Sequence, residues 1–301
     1  MTLVLWLGIP ARGADDAAVG PPAPEPATEW PVLFPGQCTP DDPHFDLELL
    51  YYEGKNAEGL AKADELLKTA PDKDLYWLKA RFMYEIGERF QRTDASIDKE
   101  AHYQAMLDTA EAGLKLDPKE PHLLFARGVA MGRLGTTRGV LSSLFMAKSI
   151  ETDWLAVAQN PTWKYSSLGG VEMLPCDAYH ALGIYYRLVP DWWIVQVLSG
   201  TRGDLDKSLA WNEKAARCKP NEVENWKESG ATQLCIGQKR NDPAMTAAGI
   251  ASLKKCQSLP APRERQKIDV KHCGNLIADP SLACEYSRDG QQDLDENKLK
   301  Q

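Results

Sequence analysis

Ala215-Ala216-Arg217-Cys218-Lys219-Pro220 is followed by Asn221, Trp226 and Gly230. A helix-forming run, a basic residue near its end and a proline just beyond it mark a helix C-terminus. The cation suits the negative end of the helix, and the proline cannot continue it. The same stop recurs at residues 65–71 (ELLKTAP), 113–118 (GLKLDP) and 254–260 (KKCQSLP). The closing prolines are 47, 102 and 40 residues apart. Those intervals fit helix-pair repeats of roughly 34 to 47 residues, with insertions in the middle interval. After Pro118 and Pro220 the pattern predicts a new helix within a few residues.

The stretches between the stops are amphipathic. Leu60, Ala63, Leu66 and Leu67 recur at three- and four-residue spacing and line one helix face. Leu75, Leu78, Phe82 and Ile86 repeat the pattern, as do Met106, Ala110 and Leu114. Later stretches centre on Leu124, Tyr185, Ala210, Trp226, Ala247 and Ile268. Gly128, Gly132, Gly183 and Gly230 sit inside these helices, where glycine costs about 1 kcal/mol relative to alanine. Close approach of a neighbouring helix is a reason to keep them.

Composition agrees with an all-α fold. Leu and Ala supply 69 of 301 residues, whereas Val, Ile and Thr together supply 35. That skew favours helices over a sandwich or barrel. The 43 acidic and 35 basic residues give a net charge of −8, which speaks against nucleic acid as the main partner. No run of about 20 apolar residues is present. We therefore expect no transmembrane segment.

Four regions are expected. Residues 1–13 contain the apolar run LVLWLGI and then Ala11 and Gly13, which read as the end of a secretory signal, although without basic residues ahead of it. No cysteine follows closely enough to serve as a lipid anchor. Residues 14–43 are proline-rich, a tether or a strap held through Trp30, Leu33 and Phe34. Residues 44–286 form the helical repeat domain, and 287–301 a polar tail.

The segment Pro220-Asn221-x4-Trp226-x3-Gly230, followed by Ala247-Ala248 and Pro260, resembles a tetratricopeptide-like repeat. A more specific resemblance lies in residues 121–220: Gly132-Arg133-Leu134-Gly135-Thr136-Thr137-Arg138-Gly139, Ala178-Tyr179-His180-Ala181-Leu182-Gly183-Ile184-Tyr185-Tyr186-Arg187-Leu188-Val189-Pro190, and Gly203-Asp204-Leu205-Asp206-Lys207-Ser208-Leu209. These resemble the T-component family of TRAP-type transporters and the related regulator of microtubule dynamics group. The resemblance implies a periplasmic helical α-solenoid that assists a solute-binding protein or holds an apolar ligand in a central cleft.

The candidate groove residues follow. Arg138 and Arg202 lie in two similar breaker stretches, 135–139 and 200–203. They either satisfy helix C-termini or grip an anionic group at the groove rim with Arg133. Adjacent Trp192 and Trp193 point in different directions on a helix, so one is expected to face a ligand or partner unless the helix is buried all round. Trp163 and Tyr165 lie in a stretch that reads as a loop inserted into the repeat. His180 and Tyr185 lie within an apolar helix, and His180 is as readily a satisfied core group.

No nucleophile elbow, zinc-protease motif, phosphate-binding loop or Cys-x-x-Cys occurs. No enzyme activity, cofactor or metal is expected. Five of the seven cysteines lie in the last 84 residues. Export would favour disulfides, with Cys273–Cys284 as the most local pair. The odd count leaves a thiol free or pairing between chains, so a homo-oligomer is one arrangement. Two roles fit: a scaffold recruiting a partner protein such as a periplasmic solute-binding protein, or a carrier of an apolar or amphipathic small ligand.

Overall fold

The structure, a computed structural model, describes residues 40–90, 96–139, 143–160 and 165–288. The signal-like segment, Trp30, Leu33, Phe34, Cys38, Trp163 and the tail beyond 288 lie outside the described residues.

Twelve α-helices carry the described chain: α1 Phe45–Tyr52, α2 Asn56–Thr69, α3 Lys73–Gly87, α4 Lys99–Leu114, α5 Pro121–Arg138, α6 Leu144–Ala158, α7 Cys176–Leu188, α8 Trp193–Ser199, α9 Leu205–Cys218, α10 Val223–Arg240, α11 Pro243–Ser258 and α12 Glu264–Ala278. A hairpin of two-residue strands, β1 Tyr165–Ser166 and β2 Met173–Leu174, is antiparallel with Tyr165 opposite Leu174. The fold is all-α, a tetratricopeptide-like array of helix pairs.

The four stops fall where helices end: α2 at Thr69, α4 at Leu114, α9 at Cys218 and α11 at Ser258. Acidic side chains accept the free amide hydrogens at the starts of α3, α4 and α5, whereas α10 starts after its stop without a side-chain cap. Asp72 caps α3 through Asp74 N, and Asp98 caps α4 through Ala101 N. Glu120 precedes the proline that opens α5. The helices pack as α3 on α4, α5 on α6, α7 on α9 and α10 on α11, and each pair packs on the next. The 102-residue interval thus holds two pairs. Its insertions are the hairpin between α6 and α7, and α8 between α7 and α9. The stop after α6 escapes the pattern because its last turn has no basic residue.

The interior glycines mark close helix contacts. A Cβ on Gly128 would collide with the Trp154 ring of α6, one on Gly183 with the Asn212 amide of α9, and one on Gly230 with Leu253 of α11. Gly132 has ordinary space beside Trp154.

Residues 135–138 are not a breaker between helices but the last turn of α5, which ends at Gly139 with φ +94°. Helical hydrogen bonding outweighs the weak helix preference of the Gly-Thr-Thr run. The pair Cys273–Cys284 does not form. Cys273 bonds Cys256, Cys284 bonds Cys235, and Cys176 bonds Cys218. Helix packing brings Cys256 of α11 to Cys273 of α12, whereas sequence proximity alone gives Cys273 no approach to Cys284. No helix among the described residues is long and apolar enough to cross a membrane.

Candidate functional site: an amphipathic internal cavity

A partly open cavity of about 250 Å³ lies among the helices. That is room for an organic molecule rather than a few waters. One wall is apolar and comes from consecutive helices. Phe125, Ala126 and Val129 of α5, Leu144, Ala147, Ile150 and Trp154 of α6, and Ala181, Ile184 and Leu188 of α7 line it. Their three- and four-residue spacing puts each set on one helix face.

The facing wall is charged. It comes from α3, the hairpin, the residue after α9, α10, α12 and the chain after α12, joined by Arg133 of α5 and by Asp177 and Arg187 of α7. Seven cations line the cavity (Arg81, Arg133, Arg187, Lys219, Lys227, Arg265 and Arg288), matched by seven carboxylates (Glu85, Glu88, Glu172, Asp177, Glu222, Glu224 and Glu228). The balance matters, because a buried charge is tolerated only when it is paired. Arg187 donates to Glu228 Oε2 at 2.5 Å and to the carbonyl of Tyr286 at 2.7 Å. Lys227, which is 1 % exposed, donates to Asp269 Oδ1 at 2.6 Å and lies 3.1 Å from Glu228. Arg288 is 3.0 Å from Glu88 and 3.1 Å from Asp269. The packed chain thus runs through Arg288, two residues into the stretch assigned to the tail. Arg265 lies 3.3 Å from Glu224 and donates to the Tyr84 hydroxyl at 3.3 Å.

The hairpin brings Val171 and Glu172 to the cavity. Ser167 Oγ accepts from Glu172 N at 2.9 Å, and Lys219 Nζ donates to the carbonyl of Val171 at 3.2 Å and to Asp177 at 2.8 Å. The Cys176–Cys218 bridge ties the same corner to the end of α9. Burial pushes the Glu172 carboxyl up to about 7, despite Arg81 3.6 Å away, with Asp177 and Glu48 adding to the rise. His180 stands where the two walls meet, 3.4 Å from Glu224. Burial alone would lower its pKa, but the Glu224 carboxylate holds it above the ordinary value.

Three of the expected groove residues line this cavity. Arg133 pairs with Glu88 at 2.8 Å, His180 faces the junction, and the buried Tyr185 donates to the carbonyl of Ala147 at 2.9 Å. Arg138 does not line it. It pairs with Glu100 of α4 at 2.9 Å on the outer surface, because the last turn of α5 carries it past the cavity. Arg202 pairs with Asp191 at 3.3 Å and is half exposed. Trp192 and Trp193 do not line the cavity either: α8 turns only Val195 inward, and Trp193 is 72 % exposed. Trp163 lies outside the described residues, and Tyr165 is described through its backbone alone, in β1.

The charged wall was not anticipated. Lys227 and Glu228 follow Trp226 in a polar run of α10, and nothing local separates such a run from a solvated helix face. The one usable signal was the abundance of acidic and basic residues at helix positions that tertiary packing turns inward.

No family model and no curated protein matches the chain. Among solved structures it is similar to "MamA RS-1 ArsTM double mutant", at 13 % identity and a TM-score of 0.40, over 71 % of this chain and 92 % of that one. The helix-pair assignment rests on the packing of the helices themselves. Fold and cavity together define a helical-repeat protein with a partly open amphipathic cavity.

Proposed function

We infer that the protein is an exported, non-enzymatic binding scaffold whose cavity carries an apolar or amphipathic small molecule. The observation that carries this reading is the pairing of a continuous apolar wall from α5, α6 and α7 with a charged wall opposite. An apolar chain gains by covering the first, since burial is worth roughly 25 cal/mol per Å². A polar head finds donors and acceptors on the second. The seven cations and seven carboxylates balance, so the head need not be strongly charged. Three disulfides support export, because an oxidising compartment keeps them. The resemblance of residues 121–220 to TRAP transporter T-components supports the finer reading, a periplasmic accessory to solute uptake.

Native mass spectrometry of detergent-free protein, before and after incubation with fatty acids and lysophospholipids, tests the carrier reading. One molecule bound per chain is expected. Ala126→Phe, which fills the apolar wall, is expected to abolish uptake with the circular dichroism spectrum unchanged. A chain that is empty and takes up neither class overturns the reading.

The second reading is a scaffold that recruits a partner protein, in keeping with a helix-pair array that presents extended surface. Affinity purification with a stoichiometric protein partner would favour it over the carrier.

A further inference from the structure

The described surface carries one concentrated set of exposed apolar side chains. On α8, Trp193 is 72 %, Val197 70 % and Leu198 74 % exposed, with Trp192 at 55 %. Phe145, in the first turn of α6, is 72 % exposed. The two elements pack together, and Lys148 of α6 lies alongside Gly200 at the end of α8. From Trp192 to Thr201 the chain holds no charged residue. Val195 is the one residue of α8 that is buried.

We propose that α8 and Phe145 form a surface by which the protein settles on a lipid bilayer. Three observations select a bilayer over a protein. First, side chains left 70 % or more exposed in a folded chain stand proud of the surface and frame no pocket. A protein interface needs a complementary, closely packed core spread over roughly 1,600 Å², whereas a bilayer closes around whatever is pushed into it. Second, the tip carries two indoles on aliphatic neighbours, and Trp favours the membrane interface, where its ring is apolar and its N–H stays wet. Third, the charges at the base of the tip cancel: Lys148 lies 2.7 Å from Glu151 and Arg202 3.3 Å from Asp191, so no net negative charge opposes approach to the headgroup layer.

Position gives the surface a use. The apolar wall of the cavity ends at Gly135 and Thr136 of α5, Leu144 of α6, and Leu188 and Val189 at the end of α7. Phe145 adjoins Leu144, and Trp192 follows Val189 by three residues. A tip lodged in the headgroup layer would hold that end of the apolar wall next to the acyl chains. This use rests on the carrier reading; the docking itself does not.

The test is flotation of the full chain with vesicles of phosphatidylethanolamine and phosphatidylglycerol (3:1), together with quenching of its Trp fluorescence by brominated lipid. The wild type is expected to float and to be quenched. Trp193→Ser combined with Leu198→Ser is expected to lower the bound fraction by about tenfold or more. The circular dichroism spectrum should not change, because neither side chain is buried. Three outcomes overturn the proposal: a wild type that stays in the aqueous layer, a variant that floats equally well, or a self-association lost in the variant while vesicles are ignored. Flotation without uptake of free fatty acid would leave the docking standing and remove the carrier reading alone.

Discussion

The guanidinium of Arg288 lies 3.0 Å from Glu88 Oε2, joining residues 200 positions apart, and its other nitrogen donates to the carbonyl of Arg265 at 2.8 Å. One side chain therefore ties the end of the packed chain to α3 and to the start of α12, across the charged wall. Arg288 is 8 % exposed and Glu88 5 %. Without Arg288, Glu88 keeps Arg133 at 2.8 Å and Asp269 keeps Lys227 at 2.6 Å, so each buried carboxylate is left one cation short rather than bare, at a cost of about 3 kcal/mol. Arg288→Ala is expected to lose stability of that order in urea denaturation. Glu88→Gln is expected to cost at least as much, since it takes the carboxylate from both Arg288 and Arg133.

Gly183 faces Asn212 across the α7–α9 contact. Asn212 is fully buried and donates to Thr232 Oγ1 at 3.0 Å. A methyl group at 183 would displace that amide. Gly183→Ala is expected to destabilise the fold by about 1–3 kcal/mol, despite alanine's better helix propensity. A thermal melt at or above the wild-type midpoint would show that the helices separate without cost.

The stability contributed by Glu172 should fall as the pH rises through neutrality, while His122, held neutral by burial, acts the other way. Unfolded, Glu172 ionises near 4.5; folded, it does so at about 7. Between those values the folded chain holds the extra proton. Raising the pH across this window therefore destabilises it, and the penalty is complete above about 7. His180 acts in the same direction. Its folded pKa lies above 6.5, so its contribution is present below that value and lost as the pH climbs through the folded one. Glu172→Gln is expected to be more stable than wild type at pH 8, by up to about 3 kcal/mol, and nearly equal at pH 5. Parallel melts at the two pH values measure the difference; a gap that does not grow with pH would contradict it.

Seven cysteines and three bridges leave Cys38 outside the disulfides of the described residues. Thiol titration of the unfolded, unreduced chain should find one group, rising to seven after reduction. Peptide mapping should recover 176–218, 235–284 and 256–273. Each bridge is worth on the order of 2–4 kcal/mol, so reductant is expected to lower the melting midpoint markedly. Serine in place of Cys235 and Cys284 should loosen the segment that carries Tyr286 and Arg288.

Local rules made the helices legible. The stops at Thr69, Leu114, Cys218 and Ser258 depend on a proline and a cation within one helical turn, and neighbours in sequence suffice for that. The sense of Trp192 and Trp193 was half legible: adjacent indoles point in different directions, which puts one outward unless the helix is buried all round, and which of these holds depends on how α8 docks on α6. The disulfide partners and the charged wall were not legible. Cys273 meets Cys256 because α12 packs on α11, and Lys227 is buried because α12 and the chain after it close over α10. Periodicity reports which face of a helix is apolar, and it is silent on what covers the polar face. That face became the wall of a cavity only when elements from both ends of the chain met around it, since ion pairs between residues 40 to 200 positions apart form through tertiary packing and leave no periodic trace.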